Sequence, residues 1–379
     1  MLNVLLTGLV SFTITFLAIP AIIKVADQKK LFDLPDARKL HTTPIASLGG
    51  IAIFLGLFIA TLLTVSYKDN PRFQYYLASA MVIFFLGLKD DILVISATKK
   101  FLGQLAATAI LVHLANIRID SMHGFLGVYD LPQSASLLLS YTTIIVTINA
   151  FNLIDGVDGL AGSLGVLTTC MFGVYFFMAD MQAYAVLSFS MAVSLIAFLI
   201  FNYRPAKIFM GDSGSLLLGL VNAILVIKFI NVADTHTVAF PIESAVAVGI
   251  AILMVPLMDT IRVFSIRIFK GKSPFSPDRN HIHHLLLDSG LSHKQVTLSC
   301  LALNVLFILV AYFSRTLGPT YSVLTISIAS LSVIGAIIYM KNLRKAKISK
   351  AIKSAPIRTL RNPSKVFSFN TEEVAVAEP

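Results

Sequence analysis

Three features of the sequence predict an all-α, polytopic membrane protein with eleven transmembrane helices. Apolar runs of about 20 residues, each long enough to cross roughly 30 Å of hydrocarbon, recur from one end of the 379-residue chain to the other. Hydrophobic residues make up 56% and charged residues only 13% of the chain, against about 25% charged in an ordinary soluble domain, and the mean hydropathy is +0.82. The basic residues, finally, collect in alternate connecting segments. This composition excludes a disordered scaffold, a disulfide-stapled domain and an outer-membrane barrel of short alternating strands. Cys170 and Cys300 both lie in apolar stretches, so they read as small core residues and not as a bridge or a metal pair.

Bounded by charge or by Pro and Gly, the runs centre near Ile14, Gly56, Val82, Ile110, Ile144, Leu167, Ser194, Val221, Ile252, Phe307 and Ile328. The first has no basic leader and stays apolar up to Lys24, so it reads as a span of the mature protein and not as a signal peptide. No internal repeat is visible, which argues against a secondary transporter built from two similar halves. With the first terminus outside, the inside segments are residues 24–46, 89–100, 149–160, 202–211, 262–297 and the tail after Met340. They hold 25 of the 30 Lys and Arg residues, leaving Lys68, Arg72, Arg118, Lys228 and Arg315 outside. This asymmetry predicts an odd number of spans and a cytosolic C-terminus. The net charge of +10 is then a topology signature, and no nucleic-acid partner is expected. Residues 1–340 read as an integral membrane domain with cytosolic active-site loops. Residues 341–379 read as a basic tail, flexible or interfacial, attracted to anionic membrane lipid.

An ionisable side chain deep in a span costs about 2.5–3.5 kcal/mol on insertion scales. Acids nevertheless gather at the inside ends. Asp90 and Asp91 end the third span, Asp155 and Asp158 open the sixth, Asp212 opens the eighth, and Asp259 sits near the end of the ninth. Capping and the helix dipole account for Asp158 and Asp212 but not for Asp90 or Asp91. As a set facing Lys and His, these carboxylates suit a divalent cation bound to a diphosphate. Mg²⁺ prefers hard oxygens and is usually held by one or two carboxylates plus the phosphates of a substrate.

Within NAFNLIDGVDGLAG, Asn149, Asn152, Asp155 and Asp158 recur every third residue, a drifting polar stripe if helical, and Gly156, Gly159 and Gly162 permit close approach. The stripe either reads a nucleobase, ribose or metal, or is a glycine-rich turn capped by Asp. Gly211-Asp212-Ser213-Gly214 matches the surroundings of a serine-protease nucleophile, but it opens a span on the basic side. Small residues at a helix start instead offer backbone N–H groups to an anion, with Asp212 beside them to hold a metal. Asp278 or Ser276 can cap a short helix bearing His281, His283 and His284, with Leu285, Leu286 and Leu287 against the membrane surface. Imidazoles on phosphate or ribose suit this setting better than zinc, since no HExxH pattern, Cys or acid accompanies them. A plain interfacial helix is the third reading. Arg38, Lys39 and His41, between Pro35 and Pro44, either contact a lipid or nucleotide phosphate or only set topology.

In order, PDARKLH…GG, LGLKDD, NLIDGVDGLAG, GDSGS and SPFSPDRNHIHH closely resemble the polyprenyl-phosphate N-acetylhexosamine-1-phosphate transferases, over residues 24 to about 297. The DRNHIHHLL form looks like the branch that transfers GlcNAc-1-phosphate for teichoic acid, lipopolysaccharide O-antigen or related polymers. The peptidoglycan branch, which moves a MurNAc-pentapeptide phosphate, usually shows three consecutive histidines and is the alternative. One departure is Ala46-Ser47 before Leu48-Gly49-Gly50, where many members have Pro and Arg.

The resemblance implies that a UDP-N-acetylhexosamine and undecaprenyl phosphate react at the bacterial inner membrane to give undecaprenyl-diphospho-N-acetylhexosamine and UMP. It also implies Mg²⁺, or Mn²⁺, as cofactor, and a homodimer. Asp212 would bind the metal with Asn152 nearby. Asp90 or Asp91 would orient or deprotonate the lipid phosphate, and since neighbours on a helix point about 100° apart, the two are expected to differ in role. Lys100 would face a phosphate, and Asp155 and Asp158 would hold the uridine end. Arg279, His281, His283 and His284 would meet the diphosphate or the departing UMP, with Arg38, His41 and Asn149 completing the substrate-binding set. Both reactants are anionic, so catalysis rests on charge neutralisation and in-line positioning.

Overall fold

A computed structural model describes residues 2–32, 45–203, 205–235, 238–272 and 281–354. The chain runs α1 (Leu2–Lys29), α2 (Gly49–Thr64), α3 (Phe73–Ile92) and α4 (Ala97–Ala109), which ends in a π-helical turn, Ile110–Leu114. A small antiparallel hairpin, β1 (Ser121–Phe125) and β2 (Val128–Asp130), follows. Then come α5 (Gln133–Ile154), α6 (Leu160–Met178), α7 (Gln182–Asn202), α8 (Gly211–Ala233), α9 (Ala245–Ile252), α10 (Met254–Phe269), α11 (Ile282–Asp288), α12 (His293–Ser314) and α13 (Pro319–Ser354).

The fold is all-α apart from the hairpin, and several of its helices mark a multi-pass membrane protein, without confirming the eleven spans expected from the sequence. Among the described residues seven helices are long and apolar enough to cross a membrane: α1, α5, α6, α7, α8, α12 and α13. An eighth arises if α9 and α10 form one span bent by 80°. α2 has 16 residues and α4 only 13, and α3 carries Lys89, Asp90 and Asp91 in its last turn.

α8 is the central helix, and nearly every side chain from Ser213 to Ile230 is buried. It packs against α2, α3, α5 and α6. α1, α2 and α7 form a second group, sealed by small polar residues. Ser11 Oγ donates to the Ser190 carbonyl at 2.7 Å, and the hydroxyls of Thr15 and Ser194 lie 2.9 Å apart. Such residues let helix backbones approach and bond across an apolar medium.

The bend between α9 and α10 is held from outside. Asn304 on α12 donates its amide to the Ile252 carbonyl at 2.9 Å and accepts the Val255 N–H at 3.1 Å, satisfying backbone groups on both sides of the break.

Helix direction assembles the polar residues. α3 and α5 end, and α4, α6 and α8 begin, at the same end of the bundle, where Asp90, Asp91, Lys100, Asn152 and Asp212 meet. α13 continues through the boundary drawn at residue 340. Lys341 pairs with Asp288 at 2.8 Å, and Arg344 donates to the Asp288 carbonyl at 3.1 Å, so the start of the basic tail is fastened to α11.

Candidate active site

Only four residues separate α3 from α4, and Ser96 caps α4 by accepting the Lys99 N–H. Lys100, in the first turn of α4, is thereby turned back toward the end of α3. Its ammonium lies 3.2 Å from Asp90 Oδ2 and donates to Asn152 Oδ1 at 3.4 Å and to Asp212 Oδ2. The Asn152 amide in turn donates to Asp212 Oδ1 at 2.8 Å and to Ser215 Oγ at 2.9 Å. Three oxygen ligands from α3, α5 and α8 thus surround one cationic point.

Asp90 and Asp91 have different partners. Asp90 accepts the Ile95 N–H at 2.9 Å and faces Lys100. Asp91 turns to α8, taking the Asp212 N–H at 2.6 Å, the Ser213 N–H at 3.0 Å and the Ser213 hydroxyl at 2.6 Å. The expectation that capping does not account for Asp91 is therefore corrected: it caps α8 from another helix, and the first N–H groups of α8 meet a carboxylate of the protein itself. Two glycines allow this. A Cβ on Gly87 would stand 2.5 Å from Ser213 Cα, and Gly211 has φ +72° with a Cβ position 2.7 Å from the Asp91 carboxylate.

The polar stripe on α5 does not stay helical. Asn149 and Asn152 are on the helix, but α5 ends at Ile154, with Asp155 as its C-cap and Asp158 in the loop before α6. Asp158 is not the cap of α6; that position is Gly159, with φ +76°, and its N–H is taken by Asn202 Oδ1 at 2.9 Å. Burial, then the negative charges of Asp212, Asp91 and Asp158, push the Asp155 carboxyl up to about 7. Asn149 donates to Gln104 Oε1 at 2.8 Å, and Gln104 returns a 3.4 Å bond, locking α4 to α5 one turn deeper than Lys100 and Asn152. A cavity of about 240 Å³ opens over this row, lined by polar Asp90, Lys100, Gln104, Asn149, Asn152 and Arg267 and by apolar Ile95, Phe101, Leu153 and Phe264.

The histidines come on α11 with an acid that sequence reading did not connect to them. His281 Nδ1 is 2.8 Å from Asp259 Oδ2, and Asp259 Oδ1 accepts the Ile282 N–H at 2.7 Å, so α10 caps α11. His281 and His283 are buried, with rings stacked at 5.6 Å. The His283 imidazole packs on Gly156, where any Cβ would collide with it, and this joins α11 to the Asp155 loop. Burial, then His284, hold the His283 pKa down to about 3, so the ring is neutral at pH 7. Leu285 and Leu286 are buried in the protein core and do not lie on a membrane surface. Among the described residues no three His, Cys, Asp or Glu side chains converge as a metal shell. The set around Lys100 instead joins two carboxylates to one amide oxygen. Arg38, His41 and Arg279, with Ser276 and Asp278, lie outside the described residues.

The sequence profile described as glycosyl transferase family 4 matches residues 73–230, which contain Asp90, Asp91, Lys100, Asn152, Asp155 and Asp212. The decaprenyl-phosphate N-acetylglucosaminephosphotransferase of Mycobacterium leprae is 34% identical over 324 residues, 77% of this chain and 79% of the relative. The undecaprenyl-phosphate alpha-N-acetylglucosaminyl 1-phosphate transferases of Yersinia pestis and Escherichia coli K12 are 32% and 30% identical, over 75% and 89% of this chain and 76% and 91% of their own. With likeness of that extent, the chain belongs to glycosyl transferase family 4, among its polyprenyl-phosphate sugar-phosphate transferases.

Proposed function

We propose that this chain transfers N-acetylglucosamine 1-phosphate from UDP-N-acetylglucosamine to undecaprenyl phosphate, giving undecaprenyl-diphospho-N-acetylglucosamine and UMP. The observation that carries this reading is the convergence of Asp90, Asn152 and Asp212 oxygens on the Lys100 ammonium. An all-oxygen set around one cationic point fits Mg²⁺ or Mn²⁺. Asp212 and Asn152 would hold the ion, with Asp90 beside them, and the ion would supply neutralisation of a diphosphate and polarisation of its P–O bonds.

The residues of the chain do the positioning. A phosphate oxygen of the lipid attacks the β-phosphorus of the nucleotide sugar while the bond to the bridging oxygen breaks and UMP leaves. A lipid phosphate near pH 7 needs little base, so Asp90 acts by orientation, and Lys100 offers its charge to the phosphate oxygens. The cavity, lined by both charged and apolar side chains, suits a phosphate carried on a hydrocarbon chain. The sugar is taken from the names of the relatives.

In this reading the protein sits in a bacterial cytoplasmic membrane as a homodimer, with its first terminus outside and the carboxylate end cytosolic. The test is a panel of UDP-sugars offered with undecaprenyl phosphate to the purified protein, reading UMP and lipid-linked product together. Product only with UDP-N-acetylglucosamine supports the proposal. Product with UDP-MurNAc-pentapeptide in its place, or no UMP from any donor, overturns it.

A further inference from the structure

Two of the basic residues left over from the charge asymmetry, Arg72 and Lys228, lie at the end of the bundle opposite the carboxylates. α8 begins beside the carboxylates and ends at Ala233, whereas α3 and α7 run the other way, starting from Phe73 and Gln182. Lys228 lies five residues before the end of α8, about 7.5 Å along its axis. Its neighbours Ile227, Phe229 and Ile230 are buried. A lysine at such a level of a spanning helix is costly and calls for a partner.

The contacts made there are with a ring and with hydroxyl donors. The Lys228 ammonium lies 5.2 Å from the centre of the Tyr184 ring. The Tyr184 and Tyr76 hydroxyls are 2.8 Å apart. Only one of their two protons is used between them, which leaves the other to donate outward. Arg72, the N-cap of α3, stands one helical turn before Tyr76. Among the described residues neither Arg72 nor Lys228 has a carboxylate within ion-pair distance.

Two cations, a half-buried one on α8 and an exposed one at the start of α3, together with a spare hydroxyl proton, ask for an anion with several acceptor oxygens. Phe177 and Met178, at the same end of the bundle on α6, are exposed apolar side chains. We propose that Lys228, Arg72 and the Tyr76–Tyr184 pair bind the phosphate of an anionic membrane lipid. This site is separate from the carboxylate site and does not rest on its assignment.

The test uses delipidated full-length protein and native mass spectrometry, with phosphatidylglycerol, phosphatidylcholine of the same acyl chains, and inorganic phosphate as separate probes. The wild type is expected to bind phosphatidylglycerol about tenfold or more tightly than phosphatidylcholine. Arg72→Gln with Lys228→Met should erase that preference, and Lys228→Arg should keep it. An unchanged preference in the double variant, or none in the wild type, overturns the proposal. Binding of inorganic phosphate alone, with displacement of phosphatidylglycerol, assigns the site to a free anion and overturns the lipid. If the double variant fails to fold, Arg72→Gln alone, an exposed position, decides by the same readout.

Discussion

Asp91 and Ser213, 122 positions apart in the chain, are joined twice: one carboxylate oxygen of Asp91 accepts both the backbone N–H and the hydroxyl of Ser213. The end of one helix thereby becomes the cap of another, while the adjacent Asp90 faces the lysine.

These partners separate the two acids experimentally. Asp91→Asn should lower stability by about 1–3 kcal/mol, because an amide cannot accept all three donors at the start of α8. Asp90→Asn should cost less than about 1 kcal/mol yet lower kcat at least about a hundredfold. Melting midpoints in detergent and UMP release on the same preparations check both.

Asp212→Asn should leave the protein folded and inserted but with less than about a tenth of wild-type turnover at saturating Mg²⁺. Activity above that level, measured across a Mg²⁺ titration, would remove Asp212 as the principal ligand.

Among the histidines, burial divides the effects. His283→Ala empties a packed site against Gly156 and should cost about 2–4 kcal/mol of stability. His284→Ala should spare the fold and raise KM for the UDP-sugar or lower kcat, with KM for undecaprenyl phosphate unchanged. Stoichiometric zinc in the purified protein, with unfolding on chelation, is the result that would return these residues to a metal site.

Asp155 sets a pH dependence. Its folded pKa, about 7, lies above the ordinary carboxylate value. Between pH 4 and pH 7 the folded chain keeps a proton that the unfolded chain has lost, so stability falls as pH rises through that window. In metal-free protein Asp155→Asn should raise stability by on the order of 2–4 kcal/mol at pH 8 and by nothing at pH 4. Thermal melts in EDTA at the two pH values give the sign directly.

The fastening of α13 to α11 divides the tail. Truncation after Ser354 should retain full turnover. Truncation after Met340 removes Lys341 and Arg344 and should impair the UDP-sugar KM, since α11 loses both anchors. Equal kinetics for the two truncations, at equal expression, would show that the anchors do not bear on the site.

The apolar runs were readable because hydropathy is local, and Asp90, Asp91, Asn152 and Asp212 stood out because acids and amides at span ends are conspicuous. Their bonding was not readable. Asp91 reaches Ser213 across 122 positions, and Asp259 reaches His281 across 22, through helix contacts that no spacing encodes. Gln104 was missed although it stands four residues after Lys100 on the same helix face, a signal that only its pairing with Asn149 makes meaningful. Which of the eleven runs cross a membrane was not readable, because it turns on helix length and bends that hydropathy does not show: α2 is short, and α9 and α10 meet at an 80° bend.

The bend at Leu253 sets the direction of α10. Asp259 lies six residues beyond it, about 9 Å of helix, so a change of about 10° in the angle swings that carboxylate by roughly 1.6 Å. Displacements of about 1 Å are enough to spoil a catalytic arrangement. Asn304 bonds both sides of that bend without bonding Asp259 or His281, so the direction of the helix that carries Asp259 is tied to a residue of α12 outside the site.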